Sequence, residues 1–466
     1  MEGRERSRLA SPPPTCRARC GLCDAIDNTS TQVHSSPRTS FYLEARGALN
    51  FSSLLANETR PPDLAFPVSW GQYLIESPLL RALASHPRRT HLPSLASIHV
   101  LAVTPWASMI EAERRGKGWE HSERMERAAE ELARHDRFQA SRGSGTLFVQ
   151  LLGGEALHTM GDAYQRQLVK GNVLLGCTDP TNAFIGPNNR AAAHHLMAGA
   201  ITLPYYAHSF AYLPRGEGPG SSPRAGLMFH GGLGRFDFGN RDRMTRLMKT
   251  VASLSSTNPS SHPPSPRSRS HSPSLPSLLP STSSASASLS VPIDLRITEV
   301  TRGNLSQLHR SFDLEGYIRS GRAYQRASIC MVPAGDVLSS RRLFDSLAAG
   351  CVPLLLRSWY LLNKNRQTFY TALPFARHIR WEEFTLRLVP AYTSSSCIEA
   401  DARWVAAWYN DSSLELKRRK GHAAFRRHMD YASNPMGVAS ALLAEVEHEL
   451  YTSQHNQKAR RHTALI

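Results

Sequence analysis

No run of about 18 apolar residues occurs in this 466-residue chain, so the sequence shows no membrane span. Its most apolar stretches, such as LASIHVLAVTPWA, are short and contain His or Pro. Residues 1–40 lack the apolar core of a signal peptide. Cysteine is scarce: seven residues are too few for a disulfide scaffold of this size. Three of them crowd into CRARCGLC (Cys16, Cys20, Cys23) within a Pro/Arg-rich tail. No strand leads into that tail, which favours a plain tail or the remnant of a small disulfide module over an iron–sulfur site. Acid is also short, with 38 Asp and Glu against 55 Lys and Arg, a formal net charge of +17. Such a balance favours anionic partners: nucleic acid, anionic lipid, nucleotide sugars or acidic glycans. The chain has no interleaved aromatic–basic strand, zinc-ligand spacing or helix-turn-helix, and few Arg-Ser dipeptides in SPRSRSHSPS, so nucleic acid is not expected as a partner. The dense run LKRRKGHAAFRRH reads as the solvated face of a helix.

What is present is a globular composition, 41% hydrophobic and 20% charged, interrupted in defined places. Residues 1–37 read as a disordered tail, and 255–290 as a Ser/Pro-rich disordered insertion. Between and after them, short apolar runs alternate with helical spacings. SIHVLAVTP, GTLFVQLLG, NVLLGCTDP and AITLPYY read as strands, as do AGLMFHGG, VPIDLRITEV, ICMVPAG and CVPLLL. GQYLIESPLLRALASH, NRDRMTRLMKTVASL, GYIRSGRAYQRAS and SSRRLFDSLAAG read as helices. Strands that are apolar throughout imply parallel sheets covered on both faces. The expected organisation is an N-terminal lobe over 38–222 and a C-terminal lobe over 223–412. Helices over 413–453 and a tail over 454–466 follow. The insertion interrupts a β-α-β unit, which loop-closure entropy tolerates because it grows slowly with length.

Chemistry concentrates in SICMVPAGDVLSSRRLFDSLAAGCVPLLL, residues 328–356. Ligands of doubly wound sheets sit beyond the carboxyl ends of strands. Here a strand ends in Pro333-Ala334-Gly335, and a helix begins near Ser339. Ser339 or Ser340 can cap that helix, and its free amides and dipole can hold phosphate. Arg342 in the first turn can clamp phosphate oxygens, and Asp345, three residues on, can accept the hydroxyls of a ribose. Together these groups describe a nucleoside-diphosphate site, although the same pattern also describes an ordinary capped helix with an internal ion pair.

The stretch resembles the exostosin domain of glycosyltransferase family 47. Ser328, Cys330, Pro333, Gly335, Ser340, Arg342, Asp345, Gly350, Cys351, Pro353, Pro374, Phe375 and Phe384 fall on the family's motif in order. LMFHGG and the helix after it extend the resemblance backwards, with Arg241 best placed to reach the donor and Arg243 as the alternative. The resemblance implies an α/β fold of GT-B type, two Rossmann-like lobes facing across a cleft. It implies an inverting transferase that moves a sugar from a UDP-sugar to a cell-surface or cell-wall glycan or glycoprotein, usually in the Golgi lumen. It further implies a donor diphosphate held by protein groups without a metal or other cofactor, and the chain contains no Asp-x-Asp. Homo- or heterodimers with another glycosyltransferase are expected partners.

The sequence departs from the family in its N-terminal lobe. Leu92 and Ser97 replace acids, and Ser144, Gly145 and Thr146 stand where Arg-Asp-His is the rule. The family's His-Asp is gone, at about Leu152 and Gly153, leaving Glu155 and His158 as candidate bases. Family enzymes are typically anchored type II membrane proteins, whereas this sequence begins with a polar stretch. Sequons at Asn28, Asn50, Asn57, Asn304 and Asn410 permit a lumenal life. The alternative reading is a catalytically weak or inactive exostosin-fold subunit that binds nucleotide or glycan and supports a partner enzyme.

Overall fold

The computed structural model describes residues 39–51, 74–153, 157–178, 196, 199–213, 227–232, 246–251, 253, 293–298, 314–332, 340–356, 373–388, 395–409 and 412–463. The expected insertion over 255–290 and tail over 1–37 lie outside them. Within them the chain forms two five-stranded sheets whose neighbouring strands are all parallel. The N-terminal sheet contains β1 (Phe41–Glu44), β2 (Ile98–Leu101), β3 (Leu147–Leu152), β4 (Val173–Cys177) and β5 (Ile201–Thr202). Its strands lie in the order in which the chain makes them. The C-terminal sheet contains β6 (Leu227–Gly232), β7 (Ile293–Thr298), β8 (Ile329–Val332), β9 (Val352–Leu356) and β10 (Leu386–Leu388). Its order is β7-β6-β8-β9-β10, so the winding reverses between β6 and β8. This is the two-lobed α/β architecture of GT-B type.

Every residue of β2 and β3 is buried, because helices cover both faces of the N-terminal sheet. On one face lies α1 (Glu76–Ala84), which contributes Leu79, Leu80 and Leu83. On the other lie α3 (Gly118–Arg134) and α4 (Asp162–Leu168), the former reached through α2 (Pro105–Arg114). The run SIHVLAVTP, expected as a strand up to Pro105, is strand only to Leu101, and Pro105 starts a helix, at the first position where its missing N–H costs nothing. In α3 the buried residues Met125, Ala128, Ala129 and Leu132 make one narrow stripe, and the other faces carry ion pairs such as Arg127–Glu123.

In the C-terminal lobe α5 (Leu314–Arg326) precedes β8, and α6 (Arg341–Ala348) joins β8 to β9. Helix α6 stops where Gly350 takes a left-handed φ of 65°. The Gly350 N–H bonds to the Leu347 carbonyl at 3.0 Å and the Cys351 N–H to that of Ser346 at 2.8 Å, a Schellman closure. Cys351 then forms a disulfide with Cys330 of β8. Cys397 is disulfide-bonded as well, and Cys177 is a buried thiol. The count of seven cysteines thus understated their structural use: disulfides here brace a sheet that already has a core.

Helices α7 (Ser395–Tyr409), α8 (Ser413–His428) and α9 (Pro435–Thr463) complete the chain. Helix α9 runs to Thr463, past the boundary at 453 where a tail was expected. The polar segment SQHNQKARRHT has no apolar stripe, yet Gln, Lys, Ala and Arg are all good helix formers. Val438, Ala439, Leu442, Leu443 and Val446 of α9 share one buried cluster with α1 and with residues of α6. Ion pairs Arg88–Glu447, Arg377–Glu445 and Arg377–Glu449 flank it. The last helix therefore returns to the first lobe, and the two lobes share a core.

Candidate functional site

The reversal of strand order between β6 and β8 marks the C-terminal lobe's switch point, where a crevice opens at the carboxyl ends of the strands. β8 ends at Val332 and the next described residues are Ser340 and α6. Ser340 stands at the N-cap with extended backbone (φ −142°, ψ 141°), as its place in the sequence led us to expect. Its hydroxyl, however, accepts no backbone N–H of the helix. It accepts instead from Nη1 of Arg342 at 3.3 Å, while the Ser340 carbonyl takes the Leu343 N–H at 2.9 Å. The result is a half-buried guanidinium held beside a helix N-terminus, a pairing suited to an anion.

Asp345 is placed differently from the expectation. It is only 4% exposed. Its Oδ1 accepts the backbone N–H of His208 at 2.7 Å, and Nε of Arg341 lies 3.4 Å from its Oδ2. Adjacent arginines thus diverge, Arg341 towards Asp345 and Arg342 towards Ser340. Tyr324 of α5 is buried in the same field. Burial first, then the Asp345 charge, push its phenol well up, and Arg342 and Arg341 pull the other way.

Of the other expected donor residues, Gly335, Ser339 and Arg241 lie outside the described residues. On the N-terminal side Glu155 lies outside them too, and His158 belongs to the single turn Leu157–Met160 that follows β3.

The sequence did not single out Glu76. It is fully buried at the start of α1, against the carboxyl ends of β2 and β3. Its Oε1 accepts from Trp106 N at 3.3 Å and Gly153 N at 2.7 Å, and its Oε2 from Ala107 N at 3.1 Å. Burial raises its pKa to about 8, against the opposing pull of those amides. Nothing in the pattern IESPLLRALA could announce this, because the partners are backbone amides that any residue supplies.

A second buried acid, Glu44 at the end of β1, has the opposite balance. Burial acts to raise its pKa, but His135 (3.2 Å), His99 (3.5 Å) and Arg46 (3.5 Å) outweigh it and hold the carboxyl at about 2. Among the described residues no group of three or more His, Cys, Asp or Glu is arranged to hold a metal ion, and no helix is long and apolar enough to cross a membrane.

Comparison with known proteins bears on the C-terminal site. Residues 290–395 match the Exostosin GT47 domain. That segment holds Ser340, Arg342 and Asp345 together with the Cys330–Cys351 disulfide, whereas Arg241, Glu155 and His158 lie before it. No curated protein matches the chain. Among solved structures, a chain of the GtfA/B complex is similar at 10% identity and a TM-score of 0.33, over 71% of this chain and 60% of that one. The glycosyltransferase SnogD from Streptomyces nogalater is similar at 13% identity and a TM-score of 0.27, over 85% and 83%.

The exostosin motif also carries residues whose work is structural. Phe375 and Phe384 lie far along the chain from α6 yet pack with Trp381 into the shared core, where Phe375 and Trp381 are almost fully buried. Phe375 adopts a φ of 51°, costly for a bulky side chain. Two amides, from His378 and Ile379, converge on its carbonyl at 2.9 Å, and Trp381 Nε1 donates to the Pro374 carbonyl at 2.9 Å. Part of the exostosin pattern is therefore a folded corner, not a binding surface.

Proposed function

We propose that this chain is an inverting glycosyltransferase that moves a sugar from a UDP-sugar to a cell-surface or cell-wall glycan. The observation that carries the reading is the cationic N-terminus of α6 directly beyond the switch point, within the segment that matches the exostosin domain. In the proposed reaction an acceptor hydroxyl attacks the anomeric carbon as the bond to UDP breaks, and its proton passes to a base. Arg342 and the positive end of the α6 dipole meet the negative charge that grows on the departing diphosphate. Protein groups supply that charge, so the reading requires no metal. Glu155 and His158 stay as the candidate bases, and Arg241, Gly335 and Ser339 as further donor contacts.

The disulfide between Cys330 and Cys351 suits folding in an oxidising compartment, in keeping with a Golgi-lumenal enzyme and with the sequons. A second reading is a nucleotide- or glycan-binding subunit that supports a partner transferase, as a homo- or heterodimer. It is favoured by the N-terminal lobe, where Ser144, Gly145 and Thr146 replace the family's charged residues and the Glu76 carboxylate is fully engaged. The deciding experiment is UDP release from a panel of UDP-sugars, with and without mixed glycan acceptors. Donor-specific release that Arg342→Ala abolishes supports the transferase; saturable UDP binding without turnover under any acceptor supports the subunit.

A further inference from the structure

The chain crosses from the N-terminal to the C-terminal lobe through residues 203–213, and this connector is buried: Leu203, Tyr205, Tyr206, Ala207, His208 and Ala211 are each less than 9% exposed. It is held from the C-terminal side at successive points. Gln325 of α5 donates to the carbonyls of Phe210 (3.1 Å) and Tyr212 (2.6 Å). Gly321 of the same helix lies so close that a Cβ there would sit 2.3 Å from the Phe210 carbonyl oxygen. The Tyr212 hydroxyl donates to Asp430, a fully buried carboxylate, at 2.9 Å. A further hold is the Asp345 carboxylate on the His208 amide, at 2.7 Å.

We propose that Asp345 is a positioning residue: it clamps the lobe connector to the helix that faces the donor, and the donor's ribose is not its partner. The inference rests on the reading of α6 as the donor helix and revises one residue of it. Two observations carry it. The carboxylate is 4% exposed, so a sugar hydroxyl has almost no approach to it. Both its oxygens are engaged within the protein, one by the His208 amide and one by Arg341. Through this bond, the helix that carries Arg342 and the segment that links the lobes move as one body. The acid of the Ser-x-Arg-x-x-Asp pattern thereby sets how the donor groups stand to the acceptor lobe.

The test compares Asp345→Ala, Asp345→Asn, His208→Pro and His208→Ala in the full chain by hydrogen exchange over residues 203–213 and by UDP titration. Proline at 208 deletes the amide donor without forcing the backbone, whose φ is already −67°. Alanine at 208 keeps the amide, and asparagine at 345 keeps an acceptor oxygen. Apart from the Phe210 amide, which both His208 variants deprive of its imidazole acceptor, we expect Asp345→Ala and His208→Pro each to raise connector exchange about tenfold, the double variant to be no faster than either, and the two conservative variants to stay near wild type. Whatever change in UDP affinity follows, it should be the same factor in Asp345→Ala and His208→Pro. A loss of UDP affinity in Asp345→Ala alone, with connector exchange unchanged, would make Asp345 a ribose ligand and overturn the proposal. If the wild-type chain binds no UDP, the transferase reading fails, and the exchange comparison still decides the clamp.

Discussion

The two sheets of this protein end differently. In the C-terminal sheet the strand order reverses, and the N-terminus of the next helix carries a half-buried arginine bonded to Ser340. Beyond the strands of the N-terminal sheet there is no reversal among the described residues, and Glu76 closes the ends of β2 and β3 by accepting three backbone amides. One end sets a guanidinium beside a helix start; the other buries a carboxyl whose partners are the fold's own amides. The difference teaches that a buried acid at strand ends can serve the fold alone, and the match to the Exostosin GT47 domain falls in the other lobe.

Substituting the two ends should separate stability from binding. The largest effect is expected for Glu76→Ala, which leaves three buried amides without an acceptor and should cost on the order of 3–5 kcal/mol in urea unfolding. Glu76 also sets a pH dependence. Its folded pKa of about 8 lies above the ordinary 4.5, so its contribution is complete below 4.5 and is lost as pH rises through about 8. The stability of wild type relative to Glu76→Gln should therefore fall over that window by several kcal/mol, at about 1.4 kcal/mol per unit. A flat difference would mean that Glu76 keeps an ordinary pKa in the fold.

Next in size is the disulfide at the base of the C-terminal site. It closes a sequence separation of 21 residues, which in the chain-entropy account is worth about 3 kcal/mol, read as the shift in urea stability of Cys330→Ser/Cys351→Ser. Arg342→Ala should show the reverse pattern. Its folding stability should change by less than about 0.5 kcal/mol, as for surface substitutions, while UDP binding weakens about 10- to 100-fold, the value of one or two charge-assisted bonds. Smallest of all is Arg127→Ala on α3. Its pairing with Glu123 joins two exposed side chains, and its removal should move the urea midpoint by an amount equivalent to at most about 0.5 kcal/mol.

Much of this architecture was legible in the chain. Apolar runs such as LFVQLL and VPLLL became buried parallel strands because period and length leave few other options for them. Ser340 fell at the expected helix start, and the spacing around Leu247 and Met248 correctly placed buried positions. What was not legible involves partners that carry no side-chain signature. Asp345 meets a backbone amide from more than a hundred residues away, and Glu76 meets three. The serine hydroxyl was expected to cap its helix, but a guanidinium two residues on competed for it. Arg341 and Arg342 look interchangeable in the sequence, and only helix geometry sends one inward to Asp345 and the other to Ser340. The Cys330–Cys351 pair was missed because the counting of cysteines addresses scaffolds without cores, and this lobe has one.

The most direct measurement is calorimetric titration of UDP into the full chain and into Arg342→Ala at the same salt concentration. The account predicts saturable one-to-one binding to the wild type and a loss of at least about tenfold in the variant, with unfolding midpoints unchanged. Equal affinity in the two proteins, or no saturable binding to either, would contradict the placement of a donor site at the start of α6.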